Sequence, residues 1–359
     1  MEPLKEMFGK PYYSRLAEAV SQVHKPFRRD VFLREVLAPL PPLSLNERMR
    51  HTSLMLKQHL PDNYQTTIGI LREVAPLADR GYTALVFPDF VSQFGTHDLR
   101  TSLDALHYFT KFGSSEFAVR TFLKLDFDRT IHIMHDWSTD DNEHVRRLAS
   151  EGSRPRLPWS FKLDAVINNP ESTRGILENL KADDSLYVRK SVANHLNDIT
   201  KDSPQYVLKL IKGWDQKHVH TKWIIKRGCR SLFKLGDKQS LKAFNYTQHV
   251  QITIRKLSIT PKVKVGGVFT FTFDLVSISK KMQRLMVDFR IHYMKKSGQT
   301  SAKVFKLKEI ELKPGEVLSI SKNQRFQDFT TRKHFAGKHK LEIVVNGEIV
   351  KTGGFDVVQ

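Results

Sequence analysis

The feature that most restricts the fold of this chain is a change of hydrophobic period part-way along it. Up to about residue 246, apolar side chains recur every three or four positions, which places them along one face of a helix. From Val250 they recur every second position, which places them on one face of a strand. One architecture cannot serve both patterns. The 359 residues are therefore expected to form a mainly α domain over residues 1–247 and an all-β domain over residues 248–359.

In the first part, Leu16, Val20 and Val23 open a stripe, and further stripes run over 31–37, 45–60, 64–78, 99–112, 117–127 and 165–180. Prolines and glycines such as Pro61, Gly81, Pro88, Gly113, Pro170 and Pro204 punctuate them as helix boundaries. Three stretches share a further pattern, an aliphatic–basic pair that leads into a helix: Val119-Arg120, Val145-Arg146-Arg147 and Val188-Arg189-Lys190, with a looser fourth around Val219. Such recurrence indicates helical pairs of HEAT type, stacked as a solenoid because no pair can bury its apolar stripe alone. Stacking leaves one extended face for a partner.

In the second part, Val268-Phe269-Thr270-Phe271-Thr272-Phe273 alternates strictly, as do 285–293, 304–310 and 341–345, and Asn346-Gly347 is a two-residue hairpin signal. Six or seven short strands in this length fit an immunoglobulin-like β-sandwich, here without the Cys…Trp…Cys core signature.

Charge suggests the partner. The formal net charge is +20, and the residues from Gln251 onward, with 21 Lys or Arg against nine Asp or Glu, are the more basic part. Arg146, Arg147, Arg154, Arg156, Arg189 and Lys190 would align on equivalent helices into a stripe able to track phosphates. A membrane partner is disfavoured, because no basic amphipathic helix carries clustered Trp or Phe. The lone Cys229 excludes an internal disulfide framework and a cysteine-cluster zinc site, and points to a reducing compartment. With no apolar leader at Met1–Glu6 and no membrane-length apolar run, the expectation is a soluble cytosolic protein. His132-Ile133-Met134-His135 and His218-Val219-His220 lack a third ligand, so no metal is expected, and no phosphate-binding loop, dinucleotide fingerprint or serine elbow occurs.

The segment from His144 to Trp159 concentrates basic residues, Glu151, two prolines and an indole within a few turns. Arg146-Arg147-Leu148-Ala149-Ser150-Glu151-Gly152-Ser153-Arg154-Pro155-Arg156-Leu157-Pro158-Trp159, followed by Tyr187-Val188-Arg189-Lys190-Ser191-Val192-Ala193-Asn194-His195-Leu196-Asn197-Asp198, resembles the bacterial DNA alkylation repair proteins related to AlkD. The added C-terminal immunoglobulin-like domain resembles the AlkC branch of that family. The resemblance implies a DNA glycosylase that acts in the bacterial cytosol on double-stranded DNA; no lysine is marked as a Schiff-base nucleophile, so a monofunctional enzyme is expected, with neither cofactor nor obligate protein partner. The resemblance also implies excision of 3-methyladenine and 3-methylcytosine without flipping the base into a pocket. By the same resemblance Glu151 and Asp198 are the carboxylates nearest sugar and base, Glu116 supports them and Trp159 is the aromatic contact. Arg147, Arg154 and Arg156 become phosphate clamps, and Arg189 and Lys190 further DNA contacts.

The chemistry is consistent with those residue types. A base methylated at N3 carries positive charge and departs neutral, so its departure needs no general acid. The sugar gains oxocarbenium character, which carboxylates stabilise while they orient water. The rival from another class is a noncatalytic HEAT-repeat scaffold that binds nucleic acid. An adaptor for an acidic polypeptide is a third reading, and base release separates the enzyme from both.

Overall fold

The computed structural model describes residues 4–328 and 333–358. By packing, the chain divides into two compact units, Met1–Gly228 and Cys229–Gln359.

The first unit is helical. After a 3-10 turn at Leu4–Phe8 come α1 (Lys10–Val23), α2 (Arg29–Leu37), α3 (Leu45–His59), α4 (Tyr64–Val74), α5 (Val86–Phe94) and α6 (Leu99–Phe109). They are followed by α7 (Val119–Leu125), α8 (Phe127–Trp137), α9 (Glu143–Gly152), α10 (Asp164–Asn168), α11 (Arg174–Leu180), α12 (Leu186–Ile199), α13 (Pro204–Lys212) and α14 (Val219–Gly228). Two stripes read as single helices are divided. Asp126 separates α7 from α8 and caps α8, its side chain accepting from Arg129 N. Pro170 divides 165–180 into α10, a 3-10 turn and α11, since the residue before a proline avoids helical geometry and Asn169 is non-helical at φ −134°, ψ 81°. Conversely, Pro88 does not interrupt α5, because it occupies the first turn, where no backbone donor is needed.

The repeat motif forms the middle of this unit. Helix α12 packs on α9 and on α14, burying Val188, Val192, Ala193 and Leu196 against Val145, Leu148, Ile224 and Ile225. Close approach at the helix ends requires glycine: a Cβ on Gly152 would lie 2.5 Å from Val119 Cγ1, and one on Gly228 2.9 Å from Leu196 Cβ.

In the second unit, α15 (Arg230–Leu235) and α16 (Lys238–Ala243) precede eight strands among the described residues. These are β1 (Ile252–Ile259), β2 (Lys262–Lys264), β3 (Val268–Ser277), β4 (Gln283–Met294), β5 (Thr300–Leu312), β6 (Val317–Arg325), β7 (Gly337–Val345) and β8 (Glu348–Val358). Sheet β1-β3-β6 faces sheet β2-β8-β7-β4-β5, in which only β2 pairs parallel, with β8. The alternating phenylalanines join the layers: Phe269 stacks on Phe355 with centroids 3.9 Å apart, and Phe271 meets Phe289 at 5.2 Å. The helical-repeat-plus-sandwich fold class is thus observed. Strands β2 and β6 escape sequence reading because one has three residues and the other, Val317-Leu318-Ser319-Ile320-Ser321-Lys322-Asn323-Gln324-Arg325, is largely polar.

Against the expected boundary at 247/248, the short helices α15 and α16 pack with the sandwich. Phe233 meets Tyr246 at 5.8 Å, the Arg284 guanidinium lies 4.8 Å over the Tyr246 ring, and Arg284 donates to Phe244 O. Two glycines also lie against each other. Gly236 ends α15 in the left-handed conformation at φ 70°, and Asn346-Gly347 turns β7 into β8 with φ 47° and 82°. A Cβ on Gly236 would lie 2.5 Å from Gly347 Cα. Gly236→Ala is therefore predicted to destabilise the second unit by at least the ~1–2 kcal/mol of a left-handed alanine, with the clash added. Urea titration followed by amide exchange of β7 and β8 checks this; an unchanged midpoint contradicts it.

Candidate active site

Three carboxylates that lie far apart in sequence come together in the first unit. Glu116 stands in the turn before α7, Glu151 in the last turn of α9 and Asp198 near the end of α12. Helix α9 is set in place by its Asn142 cap, whose side chain accepts from His144 N, and by its buried face of Val145, Leu148 and Ala149. That face directs Glu151 inward, where it is 6% exposed.

Arginines alternate with the carboxylates. Arg147 Nη1 lies 2.5 Å from Glu116 Oε2, and its Nη2 lies 3.9 Å from Glu151 Oε1. Arg154 Nη1 lies 2.5 Å from the same Glu151 oxygen, while its Nη2 and Nε donate to Asp198 Oδ2 at 2.8 and 2.9 Å. Lys201 completes the series with 2.9 Å to Asp198 Oδ1. A chain of opposite charges results: Glu116, Arg147, Glu151, Arg154, Asp198, Lys201. Glu151 and Asp198, at 6% and 3% exposure, are thus joined through one guanidinium that is itself 6% exposed. Side chains this buried carry charge only when paired, and the pairing is complete.

A cavity of about 450 Å³ opens on this chain, lined among others by Glu116, Glu151, Arg147, Tyr187, Leu157 and Trp159. The Tyr187 ring lies 4.8 Å under the Arg147 guanidinium, and burial raises the pKa of its hydroxyl. Trp159 is 88% exposed and sits in the left-handed region at φ 63°, a conformation rare for a bulky residue. Its indole also borders a second cavity of about 580 Å³, toward Arg50, Asp89 and Phe161. Asp198 does not line the first cavity; it lies behind Arg154.

The basic residues differ from their sequence reading. Arg147 and Arg154 face carboxylates, and Arg156 pairs with Asp202 at 2.6 Å. Arg154 in particular is a buried spacer between two acids, where the sequence places a phosphate clamp. Arg189 is half-buried and donates from Nη1 to the carbonyls of Asp183 and Asp184 at 2.8 and 2.7 Å, whereas Lys190 is exposed. His132 and His135 are exposed on α8, and no cluster of three or more His, Cys, Asp or Glu suited to a metal occurs among the described residues. Cys229 is buried, which pushes its thiol up to about 12 and leaves it unreactive. No described helix is long and apolar enough to cross a membrane.

Comparison with known proteins bears on this geometry. The structure of Pseudomonas fluorescens alkylpurine DNA glycosylase AlkC, bound to DNA containing an abasic site analog, superposes over the whole of both chains with a TM-score of 0.96 and 44% identity. The chain belongs to the AlkC family. Uncharacterized protein YhaZ of Bacillus subtilis strain 168 is 41% identical over 359 residues, 99% of this chain and 100% of its own. A protein-family model described as the C-terminal Ig-like domain of uncharacterised protein YhaZ matches residues 253–359, which identifies the sandwich as immunoglobulin-like.

In this AlkC-family chain, sequence reasoning missed the partners that hold the acids in place. Ser114 Oγ donates to Glu116 and accepts from Arg147; Lys201 and Asp202 hold Asp198 and Arg156. His195, fully buried on α12, donates from Nδ1 to Ser150 O at 3.0 Å and so ties α12 to α9. Burial, and then the Arg154 charge, push its pKa down to about 3. The unfolded chain binds a proton near pH 6.5 that the folded chain refuses until about pH 3, so this contribution is present above pH 6.5 and lost progressively as pH falls toward 3. The loss amounts to about 1.4 kcal/mol per pH unit, or ~2 kcal/mol at pH 5. His195→Asn should flatten the acid side of the stability–pH curve relative to the parent; parallel curves would contradict the assignment.

Proposed function

We propose that this chain is a DNA glycosylase that hydrolyses the N-glycosidic bond of cationic N3-methylated bases, 3-methyladenine and 3-methylcytosine, in duplex DNA. The observation that carries the reading is the convergence of Glu116, Glu151 and Asp198, interleaved with Arg147 and Arg154, beside the exposed Trp159 indole. Full-length similarity to a glycosylase bound to abasic DNA supports the same chemistry.

As the bond from C1′ to the base nitrogen breaks, its electron pair leaves with the base and cancels the charge on the ring, so no acid is needed. The deoxyribose gains oxocarbenium character. Glu151 and Glu116, at the cavity, oppose that charge, and the Trp159 π-face favours the same cation. Water supplies the oxygen of the new C1′–O bond, and its proton passes to a carboxylate or to solvent. Asp198 acts from behind by fixing Arg154, which keeps Glu151 oriented. The exposed indole suits approach to a sugar whose base stays in the stack, with the duplex bent toward the site. Lys190, the half-exposed Arg156 and the surplus basic residues from Gln251 onward supply phosphate contacts. Neutral lesions such as uracil lack the leaving-group activation and are poor substrates. The product is an abasic site without strand cleavage, formed without cofactor in the bacterial cytosol.

Methylated duplex DNA incubated with the protein should release 3-methyladenine. Glu151→Gln and Asp198→Asn should each lower single-turnover release by about 10²–10³-fold while changing affinity little. Salt-sensitive DNA binding without base release by the parent protein would instead support the noncatalytic scaffold.

A further inference from the structure

Arg120 is the largest fully buried side chain among the described residues. It occupies the basic position of the aliphatic–basic pair, the position held by Arg146 in α9 and Arg189 in α12. Through Nη1 those two arginines act alike, although Arg146 also reaches the Asp183 carboxylate from Nε at 2.7 Å. Arg146 Nη1 donates to the carbonyls of Asp140 and Asp141, both at 2.9 Å, and Arg189 Nη1 to those of Asp183 and Asp184. Each thereby reaches back six and five residues and fixes the turn that precedes its own helix.

Arg120 points the other way. Its Nη1 donates to Gly152 O at 3.0 Å and to Arg154 O at 2.7 Å, its Nη2 donates to Phe161 O, and its guanidinium lies 5.3 Å from the Phe161 ring. These acceptors, 32, 34 and 41 residues downstream, bracket the segment that carries Arg154 and Trp159. Backbone bonds from Leu163 N to Pro155 O and from Ser160 N to Leu157 O fold that segment on itself, but neither reaches another helix. The Trp159 indole, almost wholly exposed, gains little packing to hold it, so its placement between the two cavities depends on the backbone beneath it. A guanidinium can bridge three separated carbonyls because its donors form a rigid planar fork, whereas lysine presents a single nitrogen.

We propose that Arg120 is a positioning residue, diverted from the turn-fixing role of its repeat position, that holds residues 152–161 so that Arg154 reaches both Glu151 and Asp198 while Trp159 stands at the cavity mouth. The catalytic consequence rests on the glycosylase reading; the mechanical one does not. Burial, followed by the neighbouring Arg154 charge, lowers the Arg120 pKa to about 10, which leaves the guanidinium charged at neutral pH.

The test uses the full chain as parent, Arg120→Lys and Arg120→Met, with hydrogen–deuterium exchange over 153–163 and single-turnover base release measured on each. Exchange in that segment should rise by about tenfold or more in Arg120→Met, and less in Arg120→Lys, while α1–α6 keep parental exchange. Release should fall by about 10²-fold in Arg120→Met with partial rescue by lysine, and affinity for undamaged duplex should stay within about twofold. Unchanged exchange in both variants overturns the proposal, as does a loosened segment with full base release. If the parent releases no base, the glycosylase reading fails and the exchange arm alone still decides whether Arg120 holds the segment.

Discussion

Carboxylates from different helices cannot gather at one point unless something offsets their repulsion, about 4 kcal/mol for a pair 4 Å apart near a protein surface. In this protein the offset is Arg154, whose guanidinium joins Glu151 of α9 to Asp198 of α12. Both helices are otherwise placed by apolar packing and by the His195 to Ser150 hydrogen bond. The ion chain joins the ends of these packed faces, and it concentrates acidic side chains within a molecule whose net charge is strongly positive. An excess of positive charge draws DNA in. On the proposed mechanism the interleaved acids would stabilise the developing positive sugar once DNA has arrived, and their own cations would keep them from repelling the backbone.

The repeat architecture supplies this arrangement with few changes to its pattern. In a stack of similar helical pairs, equivalent positions line up, so one acid near the end of the equivalent helix in each of two repeats suffices to bring them together. The departures from regularity are local. Gly152 lets the end of α9 press against Val119, and the segment after it, in place of a short turn, carries Arg154, Arg156 and Trp159. The indole lies in a left-handed backbone conformation and is exposed, a combination that folding energetics alone does not favour and that fits the aromatic contact proposed for it.

Much of this was legible in the sequence because periodicity reports burial directly. The change from a helical to a strand period located both architectures, Asn346-Gly347 located its hairpin, and the resemblance picked out Glu116, Glu151, Asp198 and Trp159. Partner choice was not legible. Whether an arginine faces phosphate or carboxylate depends on what neighbouring helices present, so Arg154 and Arg147 read as DNA contacts although they pair internally. Arg120 read as one more repeat position, since its acceptors are backbone carbonyls, which every residue has and no sequence pattern marks. The contact of Gly236 with Gly347 likewise joins two residues more than 100 positions apart. Tertiary packing, not local propensity, therefore assigns α15 and α16 to the sandwich.

The role of Arg154 as the spacer that holds two acids together is tested most directly by Arg154→Gln, assayed for single-turnover release of 3-methyladenine and, separately, for affinity toward undamaged duplex across a salt series. Loss of release by about 10²-fold or more, with parental affinity and salt slope, is the result predicted for a residue that acts through Glu151 and Asp198. Parental release at saturating protein, together with weakened affinity and a salt slope reduced by about one, would identify Arg154 as a phosphate contact and contradict the account.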